Sequence, residues 1–304
     1  MDRQSCNLLN KSFSLMLGFW ATMLIGLIAA APVAGQEFRI ESQIYLDASK
    51  LPVSKNVTLF SEQIVFDFQM SEEAQPVPTE TVIFDAKRRL MVLLDAQRKV
   101  RLELPELRLI TILEASRKDT LEDTRSSFLV KEIFKEDNDW ANGWVTLDSP
   151  SITYRYKGDR PERAEILPPY FDFLENFTRL LATDPTKIPP FARLKLNSSI
   201  RRVGWMPSEV QISIKPNSLF RQGLKARSTH KVVNKLSKQD HLRIAEAKQQ
   251  WLNFKSVDLS EYRNLTDQPL PDLADLDELA DKLDSNTDVL PTSKGNVITT
   301  SHTK

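Results

Sequence analysis

Cysteine is almost missing from this chain. The single one, Cys6, lies ahead of the first apolar run. Beyond residue 35 there is no disulfide, thiolate nucleophile or cysteine-ligated metal, so the fold must be held by its core alone. Histidine is nearly as scarce, with His230, His241 and His302 the full set, all outside the expected core. His230 and His241 are eleven residues apart, which does not put two ligands on one helical face, so no metal site is expected. Without a core histidine to activate a serine, a Ser-His-Asp arrangement is not expected either. Only five glycines follow Gly35, none close enough to another to cradle a phosphate. Basic and acidic residues balance at 41 each, so no net field favours nucleic acid or an anionic membrane. Paired carboxylates such as Asp137 with Asp139, or Glu72 with Glu73, fall in polar stretches and read as solvated surface. No catalytic residue, cofactor, metal or nucleic-acid partner is predicted.

What is present begins with the leader. A short head carrying Arg3 and Lys11 precedes an uncharged run from Phe13 to Ala31, and Ala31-Pro32-Val33-Ala34-Gly35 forms a small-residue exit. That is the three-part layout of a secretory signal peptide, 1–35, cut before Gln36. A retained anchor is the competing reading, since the 19-residue run nearly spans a bilayer core. Val33 and Gly35 fit the small-residue rule for that cut, whereas a retained anchor is usually followed by a charged stop-transfer flank, so cleavage is favoured. The expected destination is the periplasm or extracellular space. A large exported domain without disulfides suits a bacterial envelope. Sequons at Asn56, Asn176, Asn197 and Asn264 are short matches that arise by chance.

The next stretch, 36–215, reads as an antiparallel-sheet domain with helical insertions. Phe38 to Leu46 alternates at period two, and Phe60 to Met70 gathers Phe60, Ile64, Phe66, Phe68 and Met70 on one face of a single strand. Phe84-Asp85-Ala86-Lys87-Arg88-Arg89-Leu90 is echoed by Leu94-Asp95-Ala96-Gln97-Arg98-Lys99-Val100. Two Asp-opened turns at that spacing predict a three-strand meander. Successive turns lie at opposite sheet edges, roughly 17 Å apart for strands of about five residues, so their basic clusters do not form one anion site. Leu107, Ile110 and Leu113 predict one helical face behind Pro105, and Thr120 with Asp123 a capping box opening the next helix. The polar run Lys135 to Asp139 ends this helical part. Asn142-Gly143 signals a hairpin, with strands expected at Trp144 to Leu147 and Ile152 to Tyr156. Leu167 to Leu181 predicts an apolar helix, and Leu194 to Val203 with Glu209 to Ile214 a late hairpin around Gly204-Trp205-Met206-Pro207.

After Lys215 the composition changes. Residues 216–260 read as a basic helical extension, capped by Ser237 and Asp240 and carrying Leu242, Ala245 and Leu252. Residues 261–304 read as an acidic tail in which Leu273, Leu276, Leu279 and Leu283 make a short stripe. The fold class expected is α+β, a bent antiparallel sheet, half-open and barrel-like, with helices on one face.

This order of elements resembles the periplasmic lipoprotein-carrier (LolA-like) half-barrel fold over roughly Gln36 to Lys215. Phe60 to Met70, Val82 to Leu104 and the hairpin around Gly204-Trp205-Met206-Pro207 carry the resemblance. It implies an unclosed barrel with helices capping an apolar interior that binds lipoprotein acyl chains or other lipids. On that reading Phe60, Ile64, Phe66, Phe68 and Phe84 line a ligand cavity. The function expected is a non-enzymatic envelope protein binding a lipid or lipidated protein. The alternative is a scaffold that meets a protein partner through residues 221–288.

Overall fold

Two antiparallel meanders laid edge to edge, with one short strand added at the rim, make a twelve-stranded sheet, bent and unclosed. The computed structural model describes residues 37–47, 49–70, 78–217 and 219–265. All of them belong to one compact unit, Gln36–Lys304. The leader and the Leu273 to Leu283 stripe lie outside the described residues. The first meander is β1 (Phe38–Leu46), β2 (Ser54–Ser61), β3 (Ile64–Met70), β4 (Pro78–Asp85), β5 (Leu90–Asp95) and β6 (Val100–Pro105). The second is β7 (Lys135–Asp139), β8 (Trp144–Asp148), β9 (Ile152–Asp159), β10 (Met206–Ile214) and β11 (Leu224–Val233). β1 pairs with β11 over eight positions, from Arg39 opposite Val233 to Leu46 opposite Ala226. That ladder joins the two halves at the middle of the sheet. A two-residue strand, β12 (Lys255–Ser256), adds the only parallel pair among the described residues, along β6.

The echoed turns form as their residues require. The Asp85 carboxylate accepts the Arg88 amide at 2.9 Å, and Asp95 accepts the amides of Gln97 and Arg98 at 2.9 Å each. The two basic clusters stay separate. Arg89 pairs with Glu106, whereas Arg98 pairs with Asp95 and reaches the Tyr262 carbonyl and the Asn264 side chain.

Several expectations are corrected. Phe60 and Met70 do not share a strand. Glu62, with φ +57°, and Gln63 turn the chain back, so Phe60 lies opposite Val65 and faces away from Phe66 and Phe68. Leu194 to Val203 is not a strand but part of helix α4 (Phe191–Val203). Its buried Ala192, Leu196 and Ile200 recur every four residues, and Gly204 in the left-handed region closes the helix with its amide on the Ile200 carbonyl. Lys135 to Asp139 is the edge strand β7, whose polar sequence suits a rim that must not pair further. Helix α1 (Glu106–Glu122) buries Leu109 and Leu113, leaving Leu107 75% exposed. Thr120 lies within that helix rather than at the start of the next one, α2 (Phe128–Lys131). The supposed helical extension contains β11, a central strand. Its capped helix, α5 (Lys238–Asn253), buries Ile244 and Ala247 and leaves Leu242 and Leu252 exposed.

Helices cover both faces. On the inner face α1, α3 (Leu167–Leu180) and α4 pack over two clusters. One gathers Phe38, Phe60, Phe84, Leu93 and Phe173, with the Phe38 and Phe60 rings stacked at 4.0 Å. The other gathers Tyr154, Tyr156, Leu196, Ile200 and Val210. On the outer face α5 covers Leu59, Phe66, Phe68, Ile83, Val92 and Leu94. The short α6 (Leu259–Arg263) buries Tyr262 against the first inner cluster. No helix among the described residues is long and apolar enough to cross a membrane.

Candidate functional site

The five residues expected to line one cavity do not share a lining. Phe60 and Phe84 belong to the inner core, whereas Phe66, Phe68 and Ile64 belong to the outer one beneath α5. Phe60, Phe66, Phe68 and Phe84 are fully packed. The reason is the turn at Glu62-Gln63, which reverses the facing of everything after it. These side chains are core.

The inner face carries a different feature at its centre. Strand alternation there replaces apolar residues with polar ones: Ser42 on β1, and Ser228 and His230 on β11. Ser42 lies directly opposite His230 in the ladder. Its Oγ is 2.9 Å from His230 Nδ1, and Ser228 Oγ is 3.0 Å from Nε2. The next inner residue of β1, Ile44, is 38% exposed, and Ala226 and Ile212 beside it are half-buried. A shallow trough with small or polar walls thus separates the two apolar clusters.

Arg193 of α4 adds its charge to this region. It is half-buried and, among the described residues, makes no ion pair or hydrogen bond. Burial pushes the phenols of Tyr154 and Tyr170 up to about 12, and the Arg193 charge acts against that rise in both. Burial lowers the His230 imidazole to about 4, and Arg193 lowers it further. His230 is therefore neutral near pH 7. Its conjugate acid would be too strong to hold a serine proton, which argues against Ser42 as an activated nucleophile.

The polar band continues across the sheet. Asn56 faces Ser42, and its Nδ2 donates to Asp67 Oδ2 at 3.0 Å. Thr58 Oγ1 donates to Asp67 Oδ1 at 2.6 Å. Burial pushes the Asp67 carboxyl up to about 6 despite these two donors, and Glu80 adds repulsion. A half-buried histidine held neutral and a buried carboxylate with a raised pKa thus lie on one face of the sheet.

Two cavities flank this face. One of about 340 Å³ lies among α1, α3 and α4. Its Arg179, Arg201 and Arg202 are each matched by a carboxylate, from Glu106, Glu175, Asp172 and Glu136. A smaller one, about 200 Å³, opens where β9 ends and β10 begins. Two sequon residues are structural: Asn176 and Asn197 are buried, with side-chain amides bonded to the Asp172 carbonyl and Thr178 Oγ1.

Sequence reading missed Ser42, Asp67, Arg193, Ser228 and His230. Placing β11, and His230 with it, outside the sheet was the main error, corrected by the β1–β11 pairing. No group of three or more metal-ligating side chains occurs among the described residues. No protein-family model matches the chain, and no curated protein matches it. A solved structure of PNGF-II is similar over 74% of this chain at 9% identity, with a TM-score of 0.29. This chain spans only 31% of that protein's length, and likeness of that degree carries no argument.

Proposed function

We propose that this chain is an exported, non-enzymatic envelope protein whose inner sheet face binds an amphipathic ligand, a lipid or a lipidated protein. The observation that carries the reading is Arg193, a half-buried guanidinium with no ion pair or hydrogen bond among the described residues, close enough to His230 to act on it and flanked by apolar clusters. A cation without a carboxylate partner suits an anionic or oxygen-rich head group, and the exposed Ile44 with the half-buried Ala226 and Ile212 suits the start of an apolar chain. The leader supports export, and the resemblance to lipoprotein carriers supports the ligand class. Native mass spectrometry of the protein purified without detergent from its own source tests it, with lipid extraction in parallel. About one amphiphile per chain is expected; empty protein throughout would overturn the reading.

A second reading, a scaffold contacting partners through residues 221–288, has its own support. Lys225, Arg227 and Lys231 of β11 share the outer face with Arg155 and Lys157 of β9. None of the five makes an ion pair among the described residues, while Arg155 and Arg227 stack on Trp144 and Tyr45.

A further inference from the structure

Two tyrosine hydroxyls beside the trough share the isolation of Arg193. Tyr154 of β9 lies opposite Ile212 in the ladder, and Ile212 lies opposite Ala226, so the phenol stands two strands from the middle of the trough. It is 5% exposed, yet its hydroxyl makes no hydrogen bond among the described residues. Tyr170 of α3 packs against both inner clusters and thus reaches across the gap between them, and its hydroxyl is unbonded too. Arg193 follows the buried Ala192 on α4. None of the three is sealed. Among the described residues, the side-chain nitrogens and oxygens both shut off from water and unbonded belong to Arg39, Arg163, Asn197 and Arg263. Tyr156 on the same strand shows the contrast: its hydroxyl lies 3.2 Å from Ser199 Oγ, which donates to Glu136.

The chemistry of the group defines what fits. The Arg193 charge acts on Tyr154, Tyr170 and His230, and no carboxylate among the described residues does. Tyr156 and Tyr262 each feel one, Glu136 or Glu80. Burial holds both trough phenols protonated up to about 12, so each offers an O–H donor at any working pH. Both His230 ring nitrogens are already engaged by Ser42 and Ser228. The group is donor-rich and positive. Donors left unmade in a largely buried place call for acceptors, and the oxygens of a phosphate or carboxylate serve a guanidinium and two hydroxyls together. A neutral sugar head brings donors of its own and no charge, and a cationic head meets repulsion.

We propose that Tyr154, Tyr170 and Arg193 form the head-group end of the trough and select an amphiphile with an oxyanion head, a phosphate or carboxylate, over one with a neutral polar head. This rests on the proposed function and adds to it the two hydroxyls and the sign of the head group.

Calorimetric titration of the full chain tests it with two probes below their micelle concentrations, dodecyl phosphate and dodecyl maltoside. The parent is expected to bind dodecyl phosphate at least about tenfold more tightly. Tyr154→Phe and Tyr170→Phe keep the ring and lose only the hydroxyl. Each should weaken dodecyl phosphate about tenfold and leave dodecyl maltoside within about twofold. Thermal melting checks that both variants fold, and the parent's choice between the probes decides should either fail. Equal affinity of the parent for the two probes overturns the oxyanion head and leaves amphiphile binding standing. Unchanged dodecyl phosphate binding in both variants, or equal weakening of both probes, overturns the role of the hydroxyls, even where Arg193→Gln still loses binding. No binding of either probe to the parent overturns this inference and the proposed function together.

Discussion

Replacing Asp67 by asparagine is expected to stabilise the protein at pH 7 by about 3 kcal/mol. The Asp67 carboxyl is pushed up to about 6 from an ordinary 3.8, chiefly by burial. The folded state thus holds this proton more tightly than the unfolded chain. Its favourable contribution is complete below 3.8 and lost as pH rises through 6, so at pH 7 the ionised group weighs against the fold. Asparagine removes that charge, still accepts from Thr58, and meets Asn56 after a flip of the Asn56 amide. His230 acts in the opposite sense. Its imidazole sits near 4 against an ordinary 6.5, so its contribution is complete above 6.5 and lost as pH falls towards 4. The two slopes oppose each other between about 4 and 6, and the parent protein should show a nearly flat profile there. Asp67→Asn should leave a protein that weakens on acidification, and His230→Gln one that strengthens. Urea midpoints at pH 7.5, 5 and 4 measure all three. An Asp67→Asn variant no more stable than the parent at pH 7 would contradict the account of the inner face.

Asp240→Ala is expected to cost about 3–5 kcal/mol, because it strips the partner from a buried charge cluster. Asp240 is fully buried, although it is part of a highly charged helix. Burial alone would raise its pKa. The Ser237 amide and hydroxyl, at 2.8 and 2.7 Å, and Arg39, at 3.1 Å, outweigh that and hold it below the usual carboxylate range. One side chain thus completes the capping box of α5 and ties it to β1. Its loss should loosen Ile244 and Ala247 from Phe66, Phe68 and Val92. Ser237→Ala removes only a cap bond and should cost about 1 kcal/mol. Hydrogen exchange of the α5 amides, alongside urea unfolding, reads the effect. A loss under about 1 kcal/mol, the size of an exposed pair, would mean that α5 is not anchored through Asp240.

The two sites of these variants were unequally legible in sequence. Ser237 and Asp240 signal their box through spacing alone, and the box forms as read. β1, the echoed turns and α3 were legible for the same reason, since their information is local. The central trough was not. β11 alternates, but its inner residues are Ala226, Ser228 and His230, so the apolar half of the period-two signal is missing where the strand faces the trough. Ser42 and His230 are 188 residues apart, and only the strand pairing brings them together. Ile200 and Val203 lent strand character to α4, where tertiary packing every fourth residue decided for helix. Phe60 to Met70 looked continuous because Glu62-Gln63 lacks the glycine or asparagine that usually marks a two-residue turn.

The central claim is that the inner face, through Arg193, receives an amphiphile. Isothermal titration of dodecyl phosphate into the full chain tests it most directly, beside Arg193→Gln and an outer-face control, Arg227→Gln. The account predicts saturable one-to-one binding that weakens at least about tenfold in Arg193→Gln and holds in Arg227→Gln. Equal binding by the parent and Arg193→Gln, or loss confined to Arg227→Gln, would contradict it and move the functional surface to the basic outer face of β9 and β11.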